Sequence, residues 1–282
     1  MALSRNLYST QFLTLQLDET DASAILSGLP VQTASIERTV PTEDILVLGK
    51  LGSVGRQQKE VETVKMDVKI FWATGTSGSS LTHTELGKLT GNALMGKRSK
   101  IILSPNGFTG FGILTNFGID AGVGDFLTAS LSFEGLGTPY IATASTNADE
   151  QSSYPNSSVV VYTTESVKLQ DADNETIKSA KFSIDLPTER LTRLGAPVTG
   201  KQDSSLTGFH MLVSKPPFKV TFAYDGELVT GSHAASTITF GHLKVSGIST
   251  NITSQSYNQN AGDVGAAFSF SSEGTSCTFA AN

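Results

Sequence analysis

Residues 64–72, VKMDVKIFW, alternate apolar and polar side chains over their first seven positions. Successive side chains of a strand point to opposite faces, so this alternation predicts a half-buried β-strand. Residues 218–224, FKVTFAY, repeat the pattern in the second half of the chain. The predicted core sides carry Val64, Met66, Val68, Ile70 and Trp72 in the first stretch, and Phe218, Val220, Phe222 and Tyr224 in the second.

The composition also favours a β protein. Charged residues make up only 16% of the 282 positions, and 27 residues are glycine, which suits many strands joined by turns. The formal net charge of −6 argues against a protein that binds nucleic acid through clustered lysine and arginine side chains. The chain shows no secretory signal and no apolar run of about 20 residues, so we expect a soluble protein made in a cytoplasm.

The single cysteine, Cys277, excludes an intrachain disulfide and a cysteine-based zinc site. We expect it to be a small, half-buried apolar residue.

Four stretches of the first half recur in the second half in the same order, which predicts a tandem duplication. Copy 1 covers residues 1–140 and copy 2 covers residues 158–282. The polar stretch at 141–157 is typical of a linker. The matched stretches are YSTQFLTLQ (8–16) with YTTESVKLQ (162–170), PTEDILVLG (41–49) with PTERLTRLG (187–195), FGILTNFGI (111–119) with FGHLKVSGI (240–248), and GDFLTASLSFEG (124–135) with GDVGAAFSFSSEG (262–274).

One segment has helical periodicity. In residues 81–96, apolar side chains recur at helical spacing, Thr82 and Glu85 fit a capping box, and Gly96 fits a C-terminal stop. Copy 2 has only HAAST (233–237) in this region, which is too short for a comparable helix. The predicted fold class is therefore mainly β with one flanking α-helix.

A long glycine-punctuated segment lies between Pro41 and Val61. Loops normally run over the surface, yet this one is rich in apolar residues, which predicts that a partner covers it. The apolar residues are Ile45, Leu46, Val47, Leu48 and Leu51.

The last strand of each copy alternates apolar residues with small hydroxyl residues. The side facing away from the core is therefore predicted to be uncharged. Its members are Thr128, Ser130 and Ser132 in copy 1, and Ser269 and Ser271 in copy 2.

No motif indicates catalysis. The chain lacks the H-E-x-x-H and G-x-S-x-G patterns, and GNALMGKR (91–98) departs from a phosphate-binding loop because Arg98 replaces the required Ser or Thr. The carboxylates Asp125 and Glu134 recur as Asp263 and Glu273, which favours an architectural role. We predict no enzymatic activity, cofactor or metal.

The order of these features resembles the tail tube proteins of long-tailed bacteriophages. The resemblance rests on Gly124-Asp125 followed by Ser130–Gly137, on the opening RNLYSTQFLTLQ (5–16), and on the order of strands, loop and helix. The family is related to the tubes of contractile injection systems and type VI secretion. Membership implies a barrel-like β-sandwich whose units stand in rings of six around a channel for DNA.

For a duplicated chain, the resemblance implies homotrimeric, pseudo-hexameric rings stacked into a tube. The hydroxyl residues would face the lumen, and the apolar loop would pack against an adjacent ring or subunit. Alternatively, carboxylates on neighbouring strands would line the lumen, and the hydroxyl residues would face a contact between subunits. The implied partners are further copies of the chain together with tape-measure and tail-tip or terminator proteins. DNA would pass without specific binding, no membrane would be involved, and the virion tail would assemble in the host cytoplasm.

Two other classes of protein stay open. A β-sandwich binding or adhesion module of a phage or bacterial surface is the main alternative, although one Trp and six Tyr form no recognisable aromatic patch. A β-rich hydrolase is disfavoured because no catalytic set is present.

Overall fold

A computed structural model describes residues 12–16, 18, 25–58, 61–71, 97–104, 108–122, 125–136, 167–169, 177–193, 209–214, 219–227, 237–240, 243–246, 251–258, 267–274 and 277–281. Antiparallel strands make up most of these residues, and no helix occurs among them, so the protein is mainly β. The helix predicted at 81–96 and the linker predicted at 141–157 lie outside the described residues.

Eight strands precede residue 140. They are β1 (Phe12–Gln16), β2 (Ile25–Thr39), β3 (Thr42–Leu46), β4 (Ser53–Gln58), β5 (Thr63–Phe71), β6 (Ser99–Ser104), β7 (Thr109–Gly122) and β8 (Thr128–Leu136). Ten strands follow. They are β9 (Val167–Leu169), β10 (Ile177–Asp185), β11 (Thr188–Arg193), β12 (Phe209–Ser214), β13 (Lys219–Glu227), β14 (Thr237–Phe240), β15 (Leu243–Ser246), β16 (Asn251–Asn258), β17 (Ala267–Gly274) and β18 (Thr278–Ala281).

Six strands of the first half close on themselves. The pairing runs β7-β6-β1-β2-β5-β8 and returns to β7, which gives a small closed barrel. In the second half, the sheet β10-β13-β17-β16 lies against a second sheet, β18-β15-β14-β9. Phe182 of β10 meets Phe279 of β18 edge to face, with ring centroids 5.9 Å apart. The second half is therefore a two-layered sandwich.

The two halves share one pairing order. The order β2-β5-β8-β7 in the first half matches β10-β13-β17-β16 in the second. The register also agrees, because Val64 pairs with Gly135 and Val220 pairs with Gly274.

A bulge recurs at the same place in both halves. In β7, the register shifts across Thr115, whose hydroxyl donates to the Ser132 carbonyl at 3.1 Å. In β16, it shifts across Thr253, whose hydroxyl lies 2.7 Å from that of Ser271. A bulge bends its strand locally, so both halves turn the strand beside β8 or β17 at an equivalent point.

Strands β7 and β10 join the two halves. They pair from Asn116 opposite Asp185 to Gly122 opposite Ser179. The Leu186 amide adds a hydrogen bond to the Thr115 carbonyl at 2.7 Å. Eight strands, β2-β5-β8-β7-β10-β13-β17-β16, therefore form one continuous sheet across this seam.

The predicted core residues of the first half are buried. Val64, Met66, Val68 and Ile70 are at most 3% exposed, and β8 buries Ala129, Leu131 and Phe133 on the same side of the sheet. In the second half, Val220, Phe222 and Tyr224 are buried as predicted. All belong to one cluster that includes residues from both halves, so the core is continuous across the seam. Trp72 and Phe218 lie outside the described residues.

The resemblance of FGILTNFGI to FGHLKVSGI is not structural, so this prediction of a repeated strand is wrong. Residues 111–119 lie within the single strand β7, whereas the described residues of 240–248 are Phe240, the last residue of β14, and β15, Leu243–Ser246. Phe240 and Leu243 pair with each other at the end of a hairpin. Pairing partners, rather than local sequence, decide which segments are equivalent.

Gly135 allows β7 and β8 to approach closely. A β-carbon at this position would lie 2.1 Å from the Phe111 carbonyl oxygen, a distance that the backbone cannot accommodate.

Candidate functional site

Within the segment between Pro41 and Val61, which was expected from the sequence to be a surface loop, residues 42–58 form a β-hairpin. Strands β3 and β4 pair with each other, with Asp44 opposite Arg56 and a 2.9 Å ion pair between their side chains. At the tip, the Lys50 amide donates to the Val47 carbonyl at 3.2 Å. Gly49 and Gly52 adopt φ values of 87° and 93°, which glycine tolerates best.

The hairpin is exposed on both faces. Every residue of β3 is exposed, and the two-stranded sheet has no third strand within the described residues. Leu46 is 75% exposed, and Leu48 and Leu51 are fully exposed. Seven of the eight exposed large apolar side chains in the described ranges lie between residues 40 and 54. An isolated hairpin is only marginally stable in water, so this apolar tip indicates a contact surface.

The hairpin β11–β12 of the second half is placed differently. Arg190 donates through Nη2 to the Val61 carbonyl at 2.6 Å, and the Thr188 hydroxyl donates to Glu134 Oε2 at 3.2 Å. Val61 lies two residues before the start of β5, and Glu134 lies near the end of β8. This hairpin therefore contacts the first half where β5 begins and β8 ends.

The predicted hydroxyl side chains are only partly accessible, and charged side chains of neighbouring strands lie beside them. Thr128 is buried at 5% exposure, whereas Ser130, Ser132 and Ser271 are half-buried. Lys69 lies directly opposite Ser130 on the neighbouring strand, and the Ser132 hydroxyl donates to Asp67 at 2.6 Å. The adjacent strand therefore places charges between the hydroxyls, so the surface as a whole is charged although the middle of β8 is not. The side chain of Ser269 lies outside the described set.

The face of the eight-stranded sheet that points away from the core is rich in charge. Its lysines and carboxylates form pairs such as Lys181 with Asp120 at 3.6 Å and Lys219 with Glu273 at 2.6 Å. Carboxylates outnumber lysines, which disfavours adhesion to phosphates. The charged residues described on this face are Lys65, Lys69, Lys181, Lys219, Glu37, Asp67, Asp120, Glu134, Asp185, Asp225 and Glu273.

Two edges of this sheet were not anticipated from sequence. Residues Thr33–Thr39 of β2 pair only with β5, and β16 pairs only with β17, within the part of the chain that the structure describes. Exposed edges are usually protected by charge or proline, but β16, NITSQSYN, carries neither. The absence of charge and proline from residues 251–258 was the signal in the sequence for this unprotected edge.

The described residues offer no metal site, because no three of their His, Cys, Asp and Glu side chains cluster. Cys277 packs beside the core, as predicted, and burial raises the pKa of its thiol to about 12. The thiol therefore stays protonated and poorly nucleophilic near neutral pH.

No protein-family model matches this chain, and no curated protein matches it in sequence. Among the residues that the structure places, no helical segment has the length and apolar character needed to cross a membrane.

Proposed function

We propose that this protein is a structural subunit that closes into rings and stacks into a bacteriophage tail tube, a conduit for DNA. The main support is the eight-stranded sheet, which ends in two open edges, β2 and β16. These edges are the counterparts of β10 and β7, the two strands that pair at the internal seam. The pairing of β7 with β10 joins the two halves within one chain. The equivalent pairing of β16 with β2 of another chain can join successive chains.

The finer fold assignment is a tandem duplication of one tube-like domain. The shared strand order, the shared register at Gly135 and Gly274, and the paired bulges at Thr115 and Thr253 support it. Three duplicated chains would give a ring of six units with pseudo-six-fold symmetry. Fusing two units also keeps one at high effective concentration relative to the other, which favours assembly.

The internal seam specifies a register for the contact between chains. Asn116 opposite Asp185 corresponds to Ser254 opposite Thr39 of the next chain, and Gly118 opposite Ser183 corresponds to Ser256 opposite Glu37. Ile36 takes the place of Phe182, which is 1% exposed at the seam. Ile36 is only half-buried in the single chain, so the neighbouring strand would complete its burial.

A cysteine pair tests this arrangement. Directly opposed residues of antiparallel strands have Cα atoms about 4.5–5.5 Å apart, within the range that a disulfide spans. We expect the Glu37→Cys, Ser256→Cys double variant to oxidise into covalent dimers and closed trimers, with no species above the trimer on a non-reducing gel.

The control pairs Thr33→Cys with Ser256→Cys, which is displaced by four residues, or about 13 Å, in the proposed register. This control should not cross-link efficiently. Equal cross-linking of both variants, covalent species above the trimer, or protein that remains monomeric at high concentration under the electron microscope would refute the proposed ring.

In the proposed ring, the charged and hydroxyl-bearing face of the eight-stranded sheet lines the lumen. Its excess of carboxylates would let DNA pass without specific binding, and it includes Ser130, Ser132 and Ser271. The proposed setting is the virion tail, assembled in the host cytoplasm, with tape-measure and tail-tip or terminator proteins as partners and no enzymatic role.

Thiol labelling tests the lumen assignment. We expect Ser130→Cys to react with a small maleimide in assembled tubes but to be protected from a maleimide carried on a large polymer. Unassembled chains of the same variant should react with both reagents, and the native Cys277 contributes little because burial raises its pKa to about 12. Ready reaction of intact tubes with the polymer reagent would place this face outside.

A further inference from the structure

The internal contact of the second hairpin predicts where the first hairpin binds. Thr188 is the first residue of β11 and directly follows Pro187, and its hydroxyl donates to Glu134 at 3.2 Å. Thr42 is likewise the first residue of β3 and follows Pro41. The two hairpins therefore present the same side chain at the same position of their first strand.

The acceptor also has a counterpart. Glu134 precedes Gly135, which pairs with Val64, and Glu273 precedes Gly274, which pairs with Val220. Glu273 forms a 2.6 Å ion pair with Lys219, and its side chain is 42% exposed, so the carboxylate is accessible.

Both hairpins carry an arginine on this face, but the arginine lies on the first strand of β11–β12 and on the second strand of β3–β4. Arg190 on β11 donates to the Val61 carbonyl, whereas Asp44 occupies the equivalent position in β3 and pairs with Arg56 across the hairpin. Since directly opposed residues share a face, Arg56 lies on the same face as Thr42 and Asp44.

We infer that the base of the β3–β4 hairpin binds the second half of an adjacent copy of this chain, with the Thr42 hydroxyl donating to Glu273 of that copy. The inference rests on the proposed ring and names the surface that the hairpin meets there. It leaves the apolar tip, Leu46–Leu51, projecting beyond this contact. The β3–β4 hairpin would then lie at the end of the seam between chains, as the β11–β12 hairpin does at the seam within the chain.

A charge placed at Thr42 tests the contact. In the Thr42→Asp variant, a carboxylate would face the Glu273 carboxylate, so we expect at least a ten-fold rise in the protein concentration needed to form rings. The melting temperature of the unassembled chain should not change, because Thr42 is exposed there. Adding Glu273→Gln, whose amide can donate to the new aspartate, should restore most of the assembly.

Two matched variants separate this contact from general effects. Adding Glu134→Gln instead of Glu273→Gln should not restore assembly of Thr42→Asp, and Thr188→Asp should lower the melting temperature of the unassembled chain. Assembly of Thr42→Asp at the wild-type concentration, or its rescue by Glu134→Gln, would overturn the inference. If the wild-type protein still forms rings, the proposed function stands. Wild-type protein without rings would overturn both.

Discussion

Replacing Leu46 and Leu48 with aspartate should abolish tube formation while leaving the chain folded. Both side chains are far out in solvent, at 75% and 104% exposure, and together they form much of the apolar tip of the β3–β4 hairpin. Burying each leucine in an interface contributes about 1.5–3 kcal/mol, and the aspartates would add a desolvation cost. We therefore expect the concentration required for assembly to rise more than about 100-fold, since each 1.4 kcal/mol corresponds to a factor of ten.

The folded chain should be nearly indifferent to this change. Substitutions at exposed positions usually alter the free energy of unfolding by less than about 0.5 kcal/mol. Circular dichroism melting would measure the fold, and sedimentation with negative-stain microscopy would measure assembly. The Lys50→Gln, Ser53→Asp variant changes the net charge by the same amount within the same hairpin and should still assemble. Normal tubes from the double leucine variant would show that the hairpin tip is not an assembly element.

Truncating Phe182 to alanine should cause the largest loss of stability that we anticipate. Phe182 is 1% exposed and packs edge to face against Phe117 of the first half, at 6.5 Å, and against Phe279, at 5.9 Å. Removing a buried phenylalanine typically costs about 3–5 kcal/mol, through lost burial and the cavity left behind. The melting temperature should fall by about 5–10 °C.

Because Phe182 lies at the seam, the loss should also weaken the coupling between the halves. Scanning calorimetry would then broaden or split the unfolding transition of Phe182→Ala. Phe126→Ala is the control, since Phe126 is 48% exposed and has one described ring contact, with Phe71 at 5.4 Å. A loss below about 1 kcal/mol for Phe182→Ala would mean that the two halves do not share a packed core at this point.

The sequence by itself determined local features. The alternation in residues 64–70 fixed which side of β5 is buried, and the alternation of Ala129, Leu131 and Phe133 with serines did the same for β8. The glycine-punctuated segment was expected on the surface, and its apolar residues between Ile45 and Leu51 are exposed in the single chain. That a partner covers them stays a prediction. These features depend on the period of two along a single strand, which any sequence displays directly.

Only the tertiary structure decided which strands are neighbours. FGILTNFGI and FGHLKVSGI look alike but lie in different pairings, and Ser130 and Ser132 gained charged neighbours from β5. The seam between β7 and β10 and the open edges of β2 and β16 depend on contacts between residues far apart in the chain. Main-chain hydrogen bonds are nearly independent of side-chain identity, so a short segment can specify a strand and its buried face but not its partner.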